Sequence, residues 1–284
     1  LSKQIGKRLP NIDHATVADF GDEWTRFDQR NLPAAELDAL FDQYFKVFPW
    51  ESISHDAEGF DMGCGSGRWA ARIAKRVGVL HCVDASEEAL VVARRNLSHL
   101  DNCVFHHASV DSLPLKDASM DFGCSLGVLH HVPDTAAGIE ACVRKLKPGA
   151  PFLLYLYYDF EGRPRWFRLL WRATDLARRR ISRLPRRAKV MVTTVIASLV
   201  YLPAARLAKG LHRLGRSTAG MPLAQYKDLS FYTMRTDALD RFGTRLEKRF
   251  SRKQIDEMMR AAGLTDVRFS ESVPFWCAVG YRGP

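Results

Sequence analysis

At 284 residues, 46% of them apolar and 26% charged, the chain has the make-up of an ordinary folded protein and suffices for one large domain with an insertion. Six cysteines (Cys64, Cys82, Cys103, Cys124, Cys142, Cys277) form no C-x-x-C pair, which argues against a disulfide framework or a zinc site and for free thiols in a reducing cytoplasm. The net charge of +10 suggests nucleic acid only until it is located: Arg163 to Lys189 holds eleven Lys and Arg against one acid, Asp175, so the excess belongs to one segment.

The chain opens on a basic stretch with Lys3, Lys7 and Arg8, and no apolar run follows, so no signal peptide is expected. From Pro33 to Phe48, Leu37, Leu40, Phe41, Tyr44, Phe45 and Phe48 recur at helical spacing, and Pro49 ends the pattern. Residues 1–50 are therefore expected to form a helical cap, packed on a sheet or lying as a lid with Trp24 or Phe27 near a substrate.

The next stretch, Phe60-Asp61-Met62-Gly63-Cys64-Gly65-Ser66-Gly67-Arg68-Trp69, reads as a buried strand, a glycine turn and a helix start. A helix start offers N–H groups and partial positive charge to a carboxylate or phosphate. Dinucleotide binding needs G-x-G-x-x-G. Here the spacing is G-x-G-x-G, preceded by Asp61, an acid that repels pyrophosphate and accepts from an ammonium group. S-adenosylmethionine, whose methionine end carries an ammonium and a carboxylate, fits. A second strand, Leu80 to Asp84, ends in an acid 23 positions after Asp61, the spacing at which an acid takes ribose hydroxyls.

Strand and helix alternate from 57 to 158, the pattern of a parallel sheet covered on both faces. The third strand is Cys103–His106, the fourth Met120–Leu126, and the fifth Phe152–Tyr158, with a helix through Ala137 to Leu146 between the last two. His130 and His131 follow the fourth strand, at the sheet edge where open α/β folds bind ligands, and a neutral imidazole there can take a proton from a hydroxyl. Tyr155 and Tyr157 share a strand face and can orient an acceptor; Asp159 can orient a histidine.

In this order and spacing, FDMGCGSG, VDAS, SLPLKDASMDFGCSLGVLHHVPD and RKLKPGAPFLLY resemble class I S-adenosylmethionine-dependent methyltransferases, in particular the bacterial group that includes quinone-biosynthesis and small-molecule O-methyltransferases. The resemblance covers about residues 57–158 and returns from Phe250 to Gly280. It implies an α/β, Rossmann-like fold: a seven-stranded, mostly parallel sheet with helices on both faces and an antiparallel last hairpin. Val267–Phe269 and Phe275–Val279 would be that hairpin, preceded by a helix opened by the Ser251/Gln254 capping box. The resemblance further implies that Asp61, Gly63 and Gly65 meet the methionine end, that Asp84 holds the ribose, that Ala85 lies against the adenine with Ser109 and the Val110 backbone contacting it, and that Cys64, Gly67 and Ser125 are further cofactor-binding residues. Ser109 stands where the family usually has Asp. His130, slightly favoured, or His131 would be the general base, and no metal is expected.

The family's variable acceptor part follows the fifth strand. Here that segment interleaves Trp, Phe, Leu and Arg from Arg163 to Arg172, then runs uncharged from Val190 to Leu202. Thirteen residues are short of the ~20 needed to span a bilayer, so no transmembrane helix is expected, but they suffice for an interfacial one. The expected divisions are a cap (1–50), a core (51–160), a basic, apolar insertion (161–229) and the rest of the core (230–284). The expected activity is methyl transfer to a hydroxyl of a small or lipid-linked molecule, such as an envelope glycan, a lipid or a quinone-like metabolite. The expected location is the cytoplasm, with peripheral contact at the inner membrane surface through 163–202. A nucleic-acid or protein methyltransferase and a silent cofactor-binding module are the alternatives; nucleic acid is disfavoured because no RNA-binding motif accompanies the arginines.

Overall fold

The computed structural model describes residues 10–218 and 220–284, so Lys3, Lys7 and Arg8 lie outside the described residues. Seven strands form one sheet: β1 (Glu58–Met62), β2 (Val79–Asp84), β3 (Cys103–His107), β4 (Phe122–Leu126), β5 (Pro151–Tyr155), β6 (Leu264–Phe269) and β7 (Cys277–Arg282). Their order is β3-β2-β1-β4-β5-β7-β6, with the first five parallel and β7 antiparallel to both β5 and β6. The order reverses between β1 and β4. That reversal opens a crevice beyond the carboxyl ends of the strands, where such sheets bind ligands.

The helices are α1 (His14–Arg26), α2 (Ala34–Tyr44), α3 (Ala70–Ile73), α4 (Glu87–Asn96), α5 (Thr135–Lys145), α6 (Arg165–Ile181), α7 (Arg186–Ile196), α8 (Leu202–Arg213), α9 (Phe231–Gly243) and α10 (Arg252–Ala261). One apolar layer packs Phe41, Phe45 and Phe48 with Trp69, Ile73 and Leu90 against one side of the sheet. The other packs Ile139, Leu146, Ile255 and Met259 against Phe60, Phe152 and Leu154. The predicted capping box opens α10: Ser251 Oγ accepts from the Gln254 N–H while Gln254 accepts from that of Ser251. The described cysteines are all free thiols.

Some boundaries differ from those expected. Met120 makes only a bridge to Leu146, β5 stops at Tyr155, and the last strand begins at Cys277, after Phe275 and Trp276. α3 is a single turn, so the glycine loop does not feed a long helix. The insertion packs on the segment that follows it: Met234, Ala238 and Phe242 of α9 form one cluster with Ala197, Tyr201 and Ala205.

The largest correction concerns the insertion. Arg186 to Arg213 forms one continuous helix of 28 residues, with a mean hydropathy of 1.7 over its most apolar window, long and apolar enough to cross a membrane by length and composition. Pro203 misled the count. It removes the donor that the Leu199 carbonyl would use, but the chain widens into a π turn over Ala197–Tyr201, which carries the helix past it.

Candidate active site

Asp13 caps α1 by accepting from the Thr16 N–H, and the helix lies over the crevice. Thr16, Val17, Phe20, Glu23 and Trp24 form the roof of a cavity there. Its floor is Met62 and Gly63 at the end of β1, Asp84 and Ala85 at the end of β2, Ser109 and Val110 after β3, and Leu126 to Val128 after β4. His131, Tyr155 and Tyr157 form one wall, and Thr236, Asp237 and Asp240 of α9 complete it. The chain entering α1 is tied down by Asn11, whose side chain both donates to the Asp134 carbonyl (2.7 Å) and accepts from the Asp134 N–H (2.7 Å).

The cofactor half shows why glycine occupies the loop. Gly63 has φ +81°, and a Cβ there would lie 2.3 Å from Val128 Cγ2. At Gly65 a Cβ would meet the Trp24 indole at 2.8 Å, so the roof presses on bare backbone. Asp84 stands at the strand tip, where Oδ2 accepts from the Gly65 N–H and Oδ1 from the Ser86 N–H, both at 2.9 Å. Each oxygen keeps lone-pair capacity for a hydroxyl. Burial raises the Asp84 pKa, and those two N–H bonds oppose the shift.

Gly63, Asp84, Ala85, Ser109, Val110 and His131, all expected at the site, are brought together on this cavity. Five other expected cofactor contacts lie off it. Asp61 is 1% exposed; Oδ1 accepts weakly from the Cys124 thiol, Oδ2 has no partner, and burial pushes its pKa up to about 7. Cys64 is buried in the core beside Cys82 and Leu97. Gly65 presents its N–H to Asp84. Gly67 faces α4, where a Cβ would strike Leu97. Ser125 is fully buried and donates to the Met62 carbonyl at 3.0 Å. The loop N–H groups are also not free as a helix start would leave them: those of Gly63 and Cys64 donate to the Val83 carbonyl and that of Gly67 to Cys64. Ser109 spends its hydroxyl on Asp111 and Ser112.

The histidines exchange rank. His130 is fully buried, its ring centroid 3.8 Å from that of Tyr157 and 3.9 Å from that of His131, and neither of its nitrogens has a hydrogen-bond partner. Burial drives its pKa well below that of free histidine, so the ring stays neutral. His131 reaches the cavity. Its Nδ1 lies 2.6 Å from the Leu246 carbonyl, an acceptor only, so Nδ1 carries the proton and the Nε2 lone pair is left without a partner. Asp240 Oδ1 stands 4.0 Å from that Nε2, and the Tyr157 hydroxyl donates to Asp240. Burial lowers the His131 pKa while Asp240 and the Leu246 carbonyl partly restore it. Asp159 does not orient a histidine: it accepts from the Glu161 N–H in a local turn.

Three acids, Glu23 buried in the roof and Asp237 and Asp240 half-buried on the wall, were not read from the sequence. Burial, then Asp240 and Asp237, raises the Glu23 pKa well above the usual range; burial raises that of Asp237 to about 6 and also raises that of Asp240. The cation among them is Arg68, whose guanidinium lies over the Trp69 ring at 4.3 Å. Thr236 and Asp237 stand four and three positions before Asp240, which puts both on the side of α9 that carries it, a pattern visible in the sequence. Of the two aromatic candidates, Trp24 lines the cavity, whereas Phe27 is buried against Tyr232.

Residues 60–154 match a family described as a methyltransferase domain. A ubiquinone biosynthesis O-methyltransferase of Aromatoleum aromaticum is 35% identical over 91 residues, 31% of this chain and 39% of that protein. A probable S-adenosylmethionine-dependent methyltransferase of Mycolicibacterium smegmatis is 30% identical over 130 residues, 44% of this chain and 49% of that one. The chain thus spans half or less of the length of these two relatives. A solved Thermotoga maritima structure, described as an S-adenosylmethionine-dependent methyltransferase and possible histamine N-methyltransferase, superposes with a TM-score of 0.50 at 14% identity, covering 95% of this chain and 100% of that one. At that identity the likeness is one of fold. The residues on the cavity floor fit the cofactor these relatives are named for: an acid with spare acceptor capacity at β2, apolar walls from Met62, Ala85, Val110 and Val128, and bare glycine backbone at the loop.

Proposed function

We propose that the chain, whose residues 60–154 match a methyltransferase-domain family, is an S-adenosylmethionine-dependent enzyme that methylates a hydroxyl of a small or lipid-linked molecule bound between α1, α9 and His131. When bound, the cofactor supplies an electrophilic methyl on a sulfonium. Asp84 would hold its ribose hydroxyls, Ala85 and Val110 would flank its adenine, and the Gly63 backbone would pass its methionine end. The protein's remaining work is to align the acceptor and exclude water, which the roof of α1 favours.

One observation carries the choice of a hydroxyl: His131, a residue of the cavity wall, keeps an unprotonated Nε2 with no hydrogen-bond partner, its other nitrogen fixed on the Leu246 carbonyl. In this reading Nε2 takes the hydroxyl proton as the oxygen becomes a nucleophile, and the Asp240 carboxylate at 4.0 Å stabilises the resulting imidazolium. His130 acts only as packing behind it. The relatives named as ubiquinone O-methyltransferases support an oxygen acceptor. A second reading, an amine acceptor, is favoured by the wall carboxylates of Glu23, Asp237 and Asp240, which suit a cation.

The test is transfer of radiolabelled methyl into an extract of the producing cells, followed by organic–aqueous partition and identification of the labelled atom. An O-methyl product, with turnover lowered roughly 10²- to 10⁴-fold in His131→Asn and near wild type in His130→Asn, supports the proposal. An N-methyl product, or full turnover in folded His131→Asn, overturns the assignment of His131 as base.

A further inference from the structure

The helices that carry the chain's positive charge show water a face that no core explains. On α6, Asp175, Arg178 and Ser182 turn inward, and Arg178 donates to the Thr244 carbonyl at 2.9 Å. The opposite side exposes Trp166, Leu169, Leu170 and Leu176, which at helical pitch fall within one stripe along the helix. Arg165, Arg168, Arg172 and Arg179 follow the same rule on the flank of that stripe, all exposed. Arg165, Arg168 and Arg172 make no salt bridge among the described residues.

A turn at 182–185 leads into the long helix of Arg186 to Arg213, which repeats the arrangement. Lys189, Thr193, Ala197, Tyr201, Ala205 and Ala208 point inward at steps of three and four. Outward, Met191, Val195, Leu199, Val200 and Leu207 are exposed, Leu199 by 72%, with Arg187 before them and Arg206 and Arg213 after. Apolar stripes flanked by arginines, with a tryptophan among them, combine what hydrocarbon takes with what phosphate takes.

We propose that α6 and the outer side of the Arg186–Arg213 helix dock the protein on an anionic lipid bilayer, with the apolar stripes entering the headgroup boundary and the arginines meeting lipid phosphates. Charge selects this occupant. A second copy of the chain would bring a segment of net charge +10 against its equal, whereas an anionic surface is complementary. The inward side selects lying over spanning. Lys189 is buried and paired with Asp19 at 2.7 Å, and Tyr201 packs beside Tyr226 and Met234. Threading the helix through hydrocarbon would break that pair and strip the cluster. The docking surface stands apart from the cavity residues, so it is independent of which atom is methylated.

Flotation of the purified chain with vesicles tests it, using phosphatidylcholine alone and with a quarter phosphatidylglycerol, at low and high salt. The protein is expected to float with the anionic vesicles, less at high salt, and little with the neutral ones. Each arginine near such a surface is worth roughly fivefold in partition, so Arg168→Gln with Arg172→Gln lowers binding roughly 25-fold. Leu199→Asp is expected to abolish flotation. Unchanged cofactor affinity in the variants shows that they are folded. If Leu199→Asp loses cofactor binding, the arginine pair alone decides. Failure to float with anionic vesicles overturns the proposal. So does equal binding to neutral vesicles that resists alkaline carbonate, which means spanning, and so does a dimer that Leu199→Asp dissolves without any lipid dependence.

Discussion

Replacing Asp61 by Asn tests the electrostatics beneath the glycine loop. The carboxyl is 1% exposed, and its partner on Oδ1 is a thiol while Oδ2 has none, so burial holds its pKa up at about 7 against 3.8 for a free Asp. Between those two values the folded protein keeps a proton that the unfolded chain has released. Its stabilising contribution is therefore complete below the unfolded value and is lost as pH rises through the folded one. From pH 6 to pH 8 the wild type should give up roughly 1 kcal/mol that the Asn variant does not. Asn nearly preserves the shape, so the two proteins should be similar in stability only at or below pH 3.8; the variant should already be the more stable by roughly 3 kcal/mol at pH 6 and gain roughly 1 more by pH 8. Urea unfolding of the cofactor-free protein at both pH values measures this difference. An identical pH dependence in the two proteins would refute the burial argument. The same substitution probes the cofactor: if Asp61 meets the ammonium group, wild-type affinity for S-adenosylmethionine rises across this interval and that of the Asp61→Asn protein stays flat.

Burial depresses the pKa of His131 below 6.5, so kcat/KM should climb with pH on a limb whose midpoint lies below that value and then level off. The same burial of His130 and His131 means that the unfolded chain binds more protons just below pH 6.5, so their contribution to stability is lost as pH falls through the folded values; His130→Asn should flatten part of that loss in an acid titration of unfolding. Lys189→Met should cost roughly 1–3 kcal/mol in thermal or urea unfolding, because it leaves the Asp19 carboxylate of α1 to the more distant Arg245 guanidinium at 3.7 Å, and Asp19→Asn in the same chain should recover most of it. A cost unchanged by the second substitution would show that Lys189 acts through packing and not through charge.

The sheet was legible because the strands carry local patterns: Phe152 to Leu154 is an apolar run buried on both faces of the sheet, and Leu80, Cys82 and Val83 are buried in β2. Gly63, Asp84, Ala85 and Val110 were legible at the site because the strand ends themselves place them there. What was missed comes from contacts distant in sequence. Asp240 meets His131 across 109 positions, and Glu23 faces Asp237 only because α1 folds back over the sheet. No local pattern ranks His130 against His131; Leu246, by accepting from His131, does. Asp61 and Ser125 show the converse, positions whose burial the sequence did not reveal. Each stands beside the ligand edge in sequence, but one turns beneath the loop toward Cys124 and the other donates to the neighbouring strand. In the insertion, a proline looked like a stop because the sequence alone does not reveal the π turn before it.

Calorimetric titration of S-adenosylmethionine and S-adenosylhomocysteine into the wild type and Asp84→Ala tests the central claim, that the crevice beyond β1 and β2 is a methyl-donor site. The account predicts that both ligands bind the wild type and that Asp84→Ala weakens each at least tenfold, because the ribose hydroxyls and the Gly65 N–H lose their common acceptor. Equal affinity in the folded variant, or no binding to the wild type, would contradict it.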